Sequence, residues 1–240
     1  MSTTPPQTEI SKSPGARLTA SLTLHELLPP FLISFAAAIW CRSATGPTLG
    51  LFLGGLLLAT LITPPLALGD TPARPALGAL GVLLGTALVW AFSMSAADVS
   101  AGELCRCGLV LAAYLIALAG LANLFASARI PDSPAAGLTV LLGLLWLTWP
   151  VWLSPLLTQS LADWLVPANP VFAINSVLKH LGAWDRAPIA YRSLTVLNQD
   201  IPYRLPGSIA AAFFVHGMIG AGAGFLPRAW ASTRTNRANP

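Results

Sequence analysis

The chain has 240 residues, of which 55% are hydrophobic and only 9% are charged, against about 25% charged residues in a typical soluble domain. Its mean hydropathy is +0.68. A soluble fold of this length cannot bury so much apolar surface, so the composition excludes a soluble globular protein and indicates a lipid environment. The formal charge of +4 is too small and too dispersed for nucleic-acid binding, so we predict the lipid bilayer as a partner and no nucleic acid.

The segment before the first apolar stretch predicts a cytoplasmic tail and not a cleavable signal peptide. Residues 1–15 are rich in Ser, Thr and Pro and lack an apolar core, so we predict disorder there. Residues 16–28 place three leucines near one helical face, which fits either a short amphipathic helix on the inner membrane surface or a simple extension of the first span. Pro29 and Pro30 predict a bend after it.

Six apolar stretches follow, each near the length of about 20 residues that crosses a hydrocarbon core of about 30 Å. They predict an all-α polytopic membrane protein, with a bundle of about six transmembrane helices in a single domain of residues 16–226. Residues 227–240 form a second predicted cytoplasmic tail. The predicted spans are residues 27–45, 48–68, 76–93, 104–126, 136–155 and 207–226.

Basic residues are divided unevenly between the two sides of this bundle. Because Lys and Arg collect in cytoplasmic loops, the division predicts a multi-pass protein of the plasma (inner) membrane with both termini in the cytoplasm. The long segment before the last span carries further basic residues on the other side, but long loops follow the rule poorly. The cytoplasmic group is Lys12, Arg17, Arg74, Arg129, Arg228, Arg234 and Arg237, against Arg42 and Arg106 on the opposite side.

Within the spans, small residues and one histidine stand out. GxxxG spacings at Gly50–Gly54, Gly81–Gly85 and Gly220–Gly224 predict close helix packing and, at some of these faces, contacts between subunits of a homo- or hetero-oligomer. His216 is an ionisable residue deep in the sixth span and shares a face with Gly220. We interpret it as a structural histidine bonded to a neighbouring helix, with a functional role as the alternative.

The outer segment, residues 159–206, predicts short interfacial or re-entrant helices between spans five and six. It follows three tryptophans spaced i, i+3 and i+6 from Trp146, which predict an aromatic belt at the headgroup level. Asn169 is a good N-cap, Pro170 fits the first helical position and Gly182 fits the position after the helix. We therefore predict a helix over 169–181, with one apolar face and with Asn175 and Lys179 on another.

A second short helix over residues 189–197 and a polar turn complete the outer segment. This turn is the best sequence candidate for a functional surface, and the alternative is a polar loop whose side chains satisfy exposed backbone groups. The candidate residues are Tyr191, Asn198, Gln199, Asp200 and Tyr203.

Motifs of enzymes and metal sites are missing from the sequence. His25-Glu26 begins an H-E-x-x-H zinc motif, but Pro29 stands where the second histidine belongs. Cys105 and Cys107 lack further ligands for a metal, and there is neither a nucleophile elbow nor a phosphate-binding loop. We predict no catalytic, cofactor-binding or metal-binding residue, no cofactor and no enzymatic activity.

The predicted layout resembles the membrane (permease) subunit of ATP-binding-cassette exporters of the six-span class. The matching pieces are segment 16–28 before span one, the cytoplasmic termini and the outer segment with its Asn169-Pro170 helix start. The resemblance implies a separate ATP-binding subunit that contacts the inner loops, where Arg74 and Arg129 are the candidate contacts. Loop 69–75 departs from the family, because it is too short for the usual coupling helix.

Two functions from different classes follow. The first is a permease-like subunit that pairs with a separate ATPase and moves a hydrophobic or lipid-like solute. The alternative is a non-transporting scaffold or assembly subunit of a larger membrane complex. The segment before span one and the outer segment favour the permease, whereas the short inner loop favours the scaffold.

Overall fold

The computed structural model describes residues 15–45, 49–69, 71, 73–181, 201 and 204–238. The described part of the chain is all-helical, as predicted. Numbered in chain order, the helices are α1 (Gly15–Thr45), α2 (Leu49–Ala67), α3 (Arg74–Ala97), α4 (Ala101–Ser127), α5 (Asp132–Leu147), α6 (Trp149–Trp152), α7 (Gln159–Ala168), α8 (Pro170–Val177) and α9 (Ala210–Ala238), with 3-10 turns at Ser154–Leu156 and Lys179–Leu181.

Three of these helices are long and apolar enough to cross a membrane. They are the stretches Leu24–Ala44 in α1, Arg74–Met94 in α3 and Ala101–Ser127 in α4. They overlap predicted spans one, three and four. The apolar stretches of α2, α5 and α9, namely Leu51–Ala67, Asp132–Leu147 and Ala210–Gly224, are shorter, at 10–17 residues.

The outer surface of the bundle is rich in large apolar side chains. A monomeric soluble protein rarely exposes a contiguous apolar patch larger than a few hundred Å². This surface therefore suits contact with lipid tails and agrees with the membrane class predicted from composition. Examples spread over five helices are Leu32, Phe92, Ile116, Leu141, Phe214 and Met218, with exposed fractions from 51% to 74%.

The amino-terminal helix differs from its prediction. α1 begins at Gly15, inside the predicted tail, and runs without interruption through Pro29 and Pro30, so segment 16–28 extends the first span and is not a separate helix. Each proline lacks an N–H and so removes one hydrogen bond of the helix, and Pro30 packs closely against α3. Pro30 is buried, and a methyl group on Gly81 would lie 2.7 Å from its Cβ.

Glycines let α1 and α3 approach backbone to backbone. A methyl group on Gly85 would lie 2.6 Å from the Phe31 carbonyl oxygen and 2.8 Å from the Phe35 nitrogen. One turn away, the Ser34 hydroxyl donates to the Gly81 carbonyl oxygen at 3.3 Å. The predicted packing role of Gly81 and Gly85 is therefore confirmed, and the matching order of the contacts makes the two helices parallel.

A second close approach joins α4 to α9. A methyl group on Gly120 would lie 2.9 Å from the Gly220 carbonyl oxygen, and one on Gly220 would lie 2.9 Å from the Ile116 carbonyl oxygen. Gly224 has no atom near enough for such a methyl to meet. Only the first glycine of the predicted Gly220–Gly224 pair is therefore needed for this contact, and α4 and α9 run parallel.

The helix predicted over residues 169–181 is correct in its start, but its α-helical part ends at Val177. Asn169 caps α8, since its Oδ1 accepts from the Val171 N–H at 2.8 Å, and Pro170 occupies the first turn. However, Asn175 is only 1% exposed, so α8 has no polar face there. Because α8 packs against α2, α4 and α7, it lies among other helices, which fits the re-entrant alternative and not the interfacial one.

The segment before α8 also corrects the sequence analysis. α7 was not predicted, although Thr158 caps it by accepting from the Leu161 N–H at 3.3 Å. The three tryptophans do not form one belt, because Trp149 is 1% exposed whereas Trp152 is 50% exposed. At the other end of the chain, α9 continues to Ala238, so the predicted tail 227–240 begins as helix.

We expect Gly85→Ala to destabilise the bundle by about 1–3 kcal/mol, because the new methyl group meets backbone atoms of α1 that cannot move aside. Gly108→Ala in α4 is the matched control, since its methyl group would meet nothing within 4 Å and alanine favours a helix by about 0.5–1 kcal/mol. Denaturant unfolding in lipid measures both. Equal stability of the two variants would contradict the packing described.

Candidate functional site

His216 is buried in α9 and has both ring nitrogens bonded. Its Nδ1 lies 2.6 Å from the Ala212 carbonyl oxygen, and since a carbonyl only accepts, Nδ1 carries the hydrogen. Nε2 is then the acceptor, and the Trp146 indole N–H of α5 donates to it at 3.0 Å. A neutral imidazole therefore links α9 to α5. This is the arrangement expected of a structural histidine, and its role stays a prediction.

Tyr114 of α4 connects this histidine to α2 and a second time to α5. Its ring stands edge-on to the imidazole, with centroids 5.3 Å apart. Its hydroxyl lies 3.1 Å from the Thr60 hydroxyl of α2 and donates to the Gly143 carbonyl oxygen of α5 at 3.3 Å. A methyl group on Gly143 would lie 2.6 Å from Thr60 Cγ2. The centre of the bundle is therefore tightly filled around these polar groups.

Asn169 compensates for a hydrogen bond that is lost at the break between α5 and α6. Pro150 has no N–H, so it cannot donate to the carbonyl oxygen of Trp146 four residues earlier, as a helix would require. Asn169 Nδ2 donates to that oxygen at 2.7 Å, and Asn169 is fully buried. One amide therefore caps α8 and replaces the hydrogen bond that Pro150 removes.

Some buried polar atoms of the described residues have no hydrogen-bond partner. They are the indole nitrogens of Trp90 and Trp149 and both amide atoms of Asn175. Leaving a buried polar group unpaired costs about 1–3 kcal/mol, so Asn175 is a costly residue at this position of α8. Helix packing alone does not explain why a polar side chain stands at this buried position.

A pocket of about 570 Å³ opens where α4 begins, α8 ends and the chain enters α9. We call it the charged pocket, because four titratable side chains lie around it. The remaining wall is apolar or small, so the charged side chains face a partly apolar cavity. The pocket is lined by Glu103, Arg106, Ser176, Val177, Lys179, His180, Leu205, Pro206, Gly207, Ser208 and Ile209.

The negative charge in this pocket is already engaged. Glu103 Oε2 accepts from the Ser100 N–H at 2.9 Å and from its hydroxyl at 2.8 Å, while Ser100 caps α4 in return. Glu103 Oε1 lies 3.3 Å from His180 Nδ1, and His180 Nε2 lies 3.1 Å from the Asp98 carbonyl oxygen. The carboxylate of Glu103 is therefore held by both Ser100 and His180.

Arg106 and Lys179 are the cations that remain. Arg106 Nε donates weakly to the Gly102 carbonyl oxygen at 3.4 Å, and no carboxylate of the described residues lies within ion-pair distance of either side chain. Both are exposed. The charged pocket therefore carries a net positive charge that can be offered to a ligand.

The surface proposed from the sequence lies elsewhere in the chain. Tyr191, Asn198, Gln199, Asp200 and Tyr203 are outside the described residues, as are the predicted helix 189–197 and Gly182. Those five residues stay predictions.

The two predicted partner contacts are both described and differ in character. Arg74 Nε donates to the Leu66 carbonyl oxygen at 3.2 Å, where a cation stabilises the last turn of α2. Arg129 is exposed in the turn between α4 and α5, with φ of 67°. Arg74 is therefore engaged within the chain, whereas Arg129 is presented to the surroundings.

Sequence reasoning missed the charged pocket, although one local signal of it was present. Ser100 and Glu103 have the spacing of a capping box, which marks a helix start. Arg106 was noted only for its sign, and nothing local indicates that residues 103–106 meet residues 176–180 and 205–209. Only the packing of α4, α8 and α9 brings these segments together.

Comparisons with protein-family models, with curated proteins and with solved structures find no match to this chain.

We expect the Trp146–His216 hydrogen bond to appear in a double-mutant cycle. Trp146→Phe and His216→Leu should each destabilise the bundle by about 0.6–2 kcal/mol. The double variant should cost less than the sum of the two, because all three variants lose the same hydrogen bond. His216→Asn, which can still bond across helices, serves as the conservative control. Additive costs in denaturant unfolding would show that the two residues act independently.

Proposed function

We propose that this chain is a six-span subunit of the plasma (inner) membrane that pairs with a separate ATPase and moves a hydrophobic or lipid-like solute. Helix lengths support the span count. α2 and α9 have 19 and 29 residues, and at 1.5 Å per residue these extend about 28 and 43 Å. α5 and α6 are separated by Thr148 alone, so together they also approach the thickness of a hydrocarbon core.

The observation that carries this proposal is the pairing of two cavities along α4 and α9. The charged pocket lies at the amino-terminal ends of these parallel helices. A second cavity of about 320 Å³, the small-residue groove, lies further along both helices, in the second half of α4 and near the middle of α9, and against the start of α3. It is lined by Pro75, Ala76, Ala79, Ile116, Ala119, Gly120, Asn123, Gly220, Ala221 and Gly224.

The two cavities suit a solute with a polar end and an apolar body. Asn123 is the one polar side chain among the residues that line the groove, whereas the charged pocket carries Arg106 and Lys179. Between them, the apolar side chains of Leu109 and Phe213 are 44% and 36% exposed. An amphipathic solute can therefore stay in contact with α4 and α9 from one cavity to the other.

Energy for such movement has to come from another protein, because the sequence has no phosphate-binding loop. The turn between α4 and α5 offers Arg129 as a contact, and both termini would lie on the same side.

The scaffold function is the second candidate, and the turn between α2 and α3 favours it. There the Thr71 hydroxyl donates to Glu26 Oε1 at 2.8 Å, and Arg74 is bonded to α2. The polar groups of this short turn are therefore already used within the chain, which leaves fewer of them for an ATPase.

We expect mild-detergent purification of the chain from its native membrane to recover a protein with a phosphate-binding loop. Arg129→Glu should reduce that recovery at least several-fold, because it reverses an exposed charge at the proposed contact. Arg42→Glu is the matched control, since Arg42 is also exposed but lies at the opposite end of the bundle. Recovery with integral membrane proteins alone, and equal for both variants, would favour the scaffold.

A further inference from the structure

We infer that the charged pocket binds a phosphate-bearing anion through Arg106 and Lys179, with the phosphate headgroup of a lipid and a soluble phosphate as the two possible sources. The inference deepens the proposed function, on which it partly rests, by naming the chemical class of the solute's polar end. The binding site itself does not require transport, because it is defined by the pocket alone.

The charge balance of the pocket favours an anion. Glu103 contributes the single carboxylate among the described lining residues, and that carboxylate is held by Ser100 and His180. Arg106 and Lys179 are left to face the cavity. Guanidinium groups bind phosphate oxygens in a bidentate fashion, and an ammonium group adds a compact charge. The pair is therefore suited to a phosphate more than to a neutral or cationic group.

The start of α9 adds to the same preference. Ser208 and Ile209 line the pocket, and the Ala210 N–H donates to the Ser208 hydroxyl oxygen at 3.1 Å. These residues form the amino-terminal end of a helix of 29 residues, where the backbone dipole is positive. An anion in the pocket would thus meet a favourable field from α9 as well as from the two side chains.

The size and walls of the pocket fit a headgroup that is attached to an apolar body. About 570 Å³ falls in the range of roughly 300–1,000 Å³ typical of small-molecule sites. Val177, Leu205 and Ile209 supply an apolar wall. Just beyond it, Leu109 and Phe213 are 44% and 36% exposed, so acyl chains could extend along the lipid-facing side of α4 and α9.

The test measures binding to the purified full-length chain by native mass spectrometry, with short-chain phosphatidylglycerol, short-chain phosphatidylcholine and inorganic phosphate as separate probes. We expect the anionic lipid to bind at least ten-fold more tightly than the zwitterionic one. Arg106→Gln combined with Lys179→Gln should abolish this preference. Arg42→Gln should preserve it, because Arg42 is an exposed arginine at the same end of the bundle but outside the pocket.

Lys179→Gln alone gives a second variant in case the double variant fails to fold. It should weaken binding of the anionic lipid several-fold. If inorganic phosphate binds in a way that depends on Arg106 and Lys179, and no lipid is preferred, the site is supported and its ligand is a soluble phosphate. Lipid and phosphate binding that is equal in wild type, both pocket variants and Arg42→Gln overturns the inference. Failure to recover an ATPase with the chain would contradict the proposed function but would not change these binding results. The proposed function and the anion site can therefore fail separately.

Discussion

A polar group buried in this bundle can find a partner only inside the protein, because lipid offers none. The constraint is sharpest at Pro150, which leaves the Trp146 carbonyl oxygen without its helical donor. Asn169 supplies that donor at 2.7 Å while it caps α8. The indole of the same Trp146 bonds His216. The helix break at Pro150 is thereby linked through Trp146 to the start of α8, at Asn169, and to α9, at His216.

Close backbone contact supplies the second part of the architecture. The α1–α3 and α4–α9 pairs meet at Gly85 and at Gly120 with Gly220, where a single methyl group would collide with backbone atoms. Both pairs are parallel, so each leaves its two amino-terminal ends together. At the α4–α9 pair this brings Arg106 near the start of α9, and the charged pocket lies at that junction.

Sequence reasoning succeeded where the cause of a feature is local. The cap at Asn169, the proline at the start of α8 and the glycine spacing of α3 depend on neighbouring residues, so their patterns could be recognised. The burial of Asn175 and Trp149 could not, because it depends on which helices cover them. The charged pocket was missed for the same reason, since residues far apart in the chain form it. α7 was missed although Thr158 offered a cap.

The most direct test of this account is whether Asn169 replaces the hydrogen bond that Pro150 removes. Asn169→Ala should destabilise the bundle by about 1–3 kcal/mol, since it leaves the Trp146 carbonyl oxygen unpaired. In a Pro150→Ala background the restored N–H can donate to that oxygen, so Asn169→Ala should cost about 1 kcal/mol less. Denaturant unfolding of the four proteins in lipid gives both costs. An equal cost in both backgrounds would contradict the account.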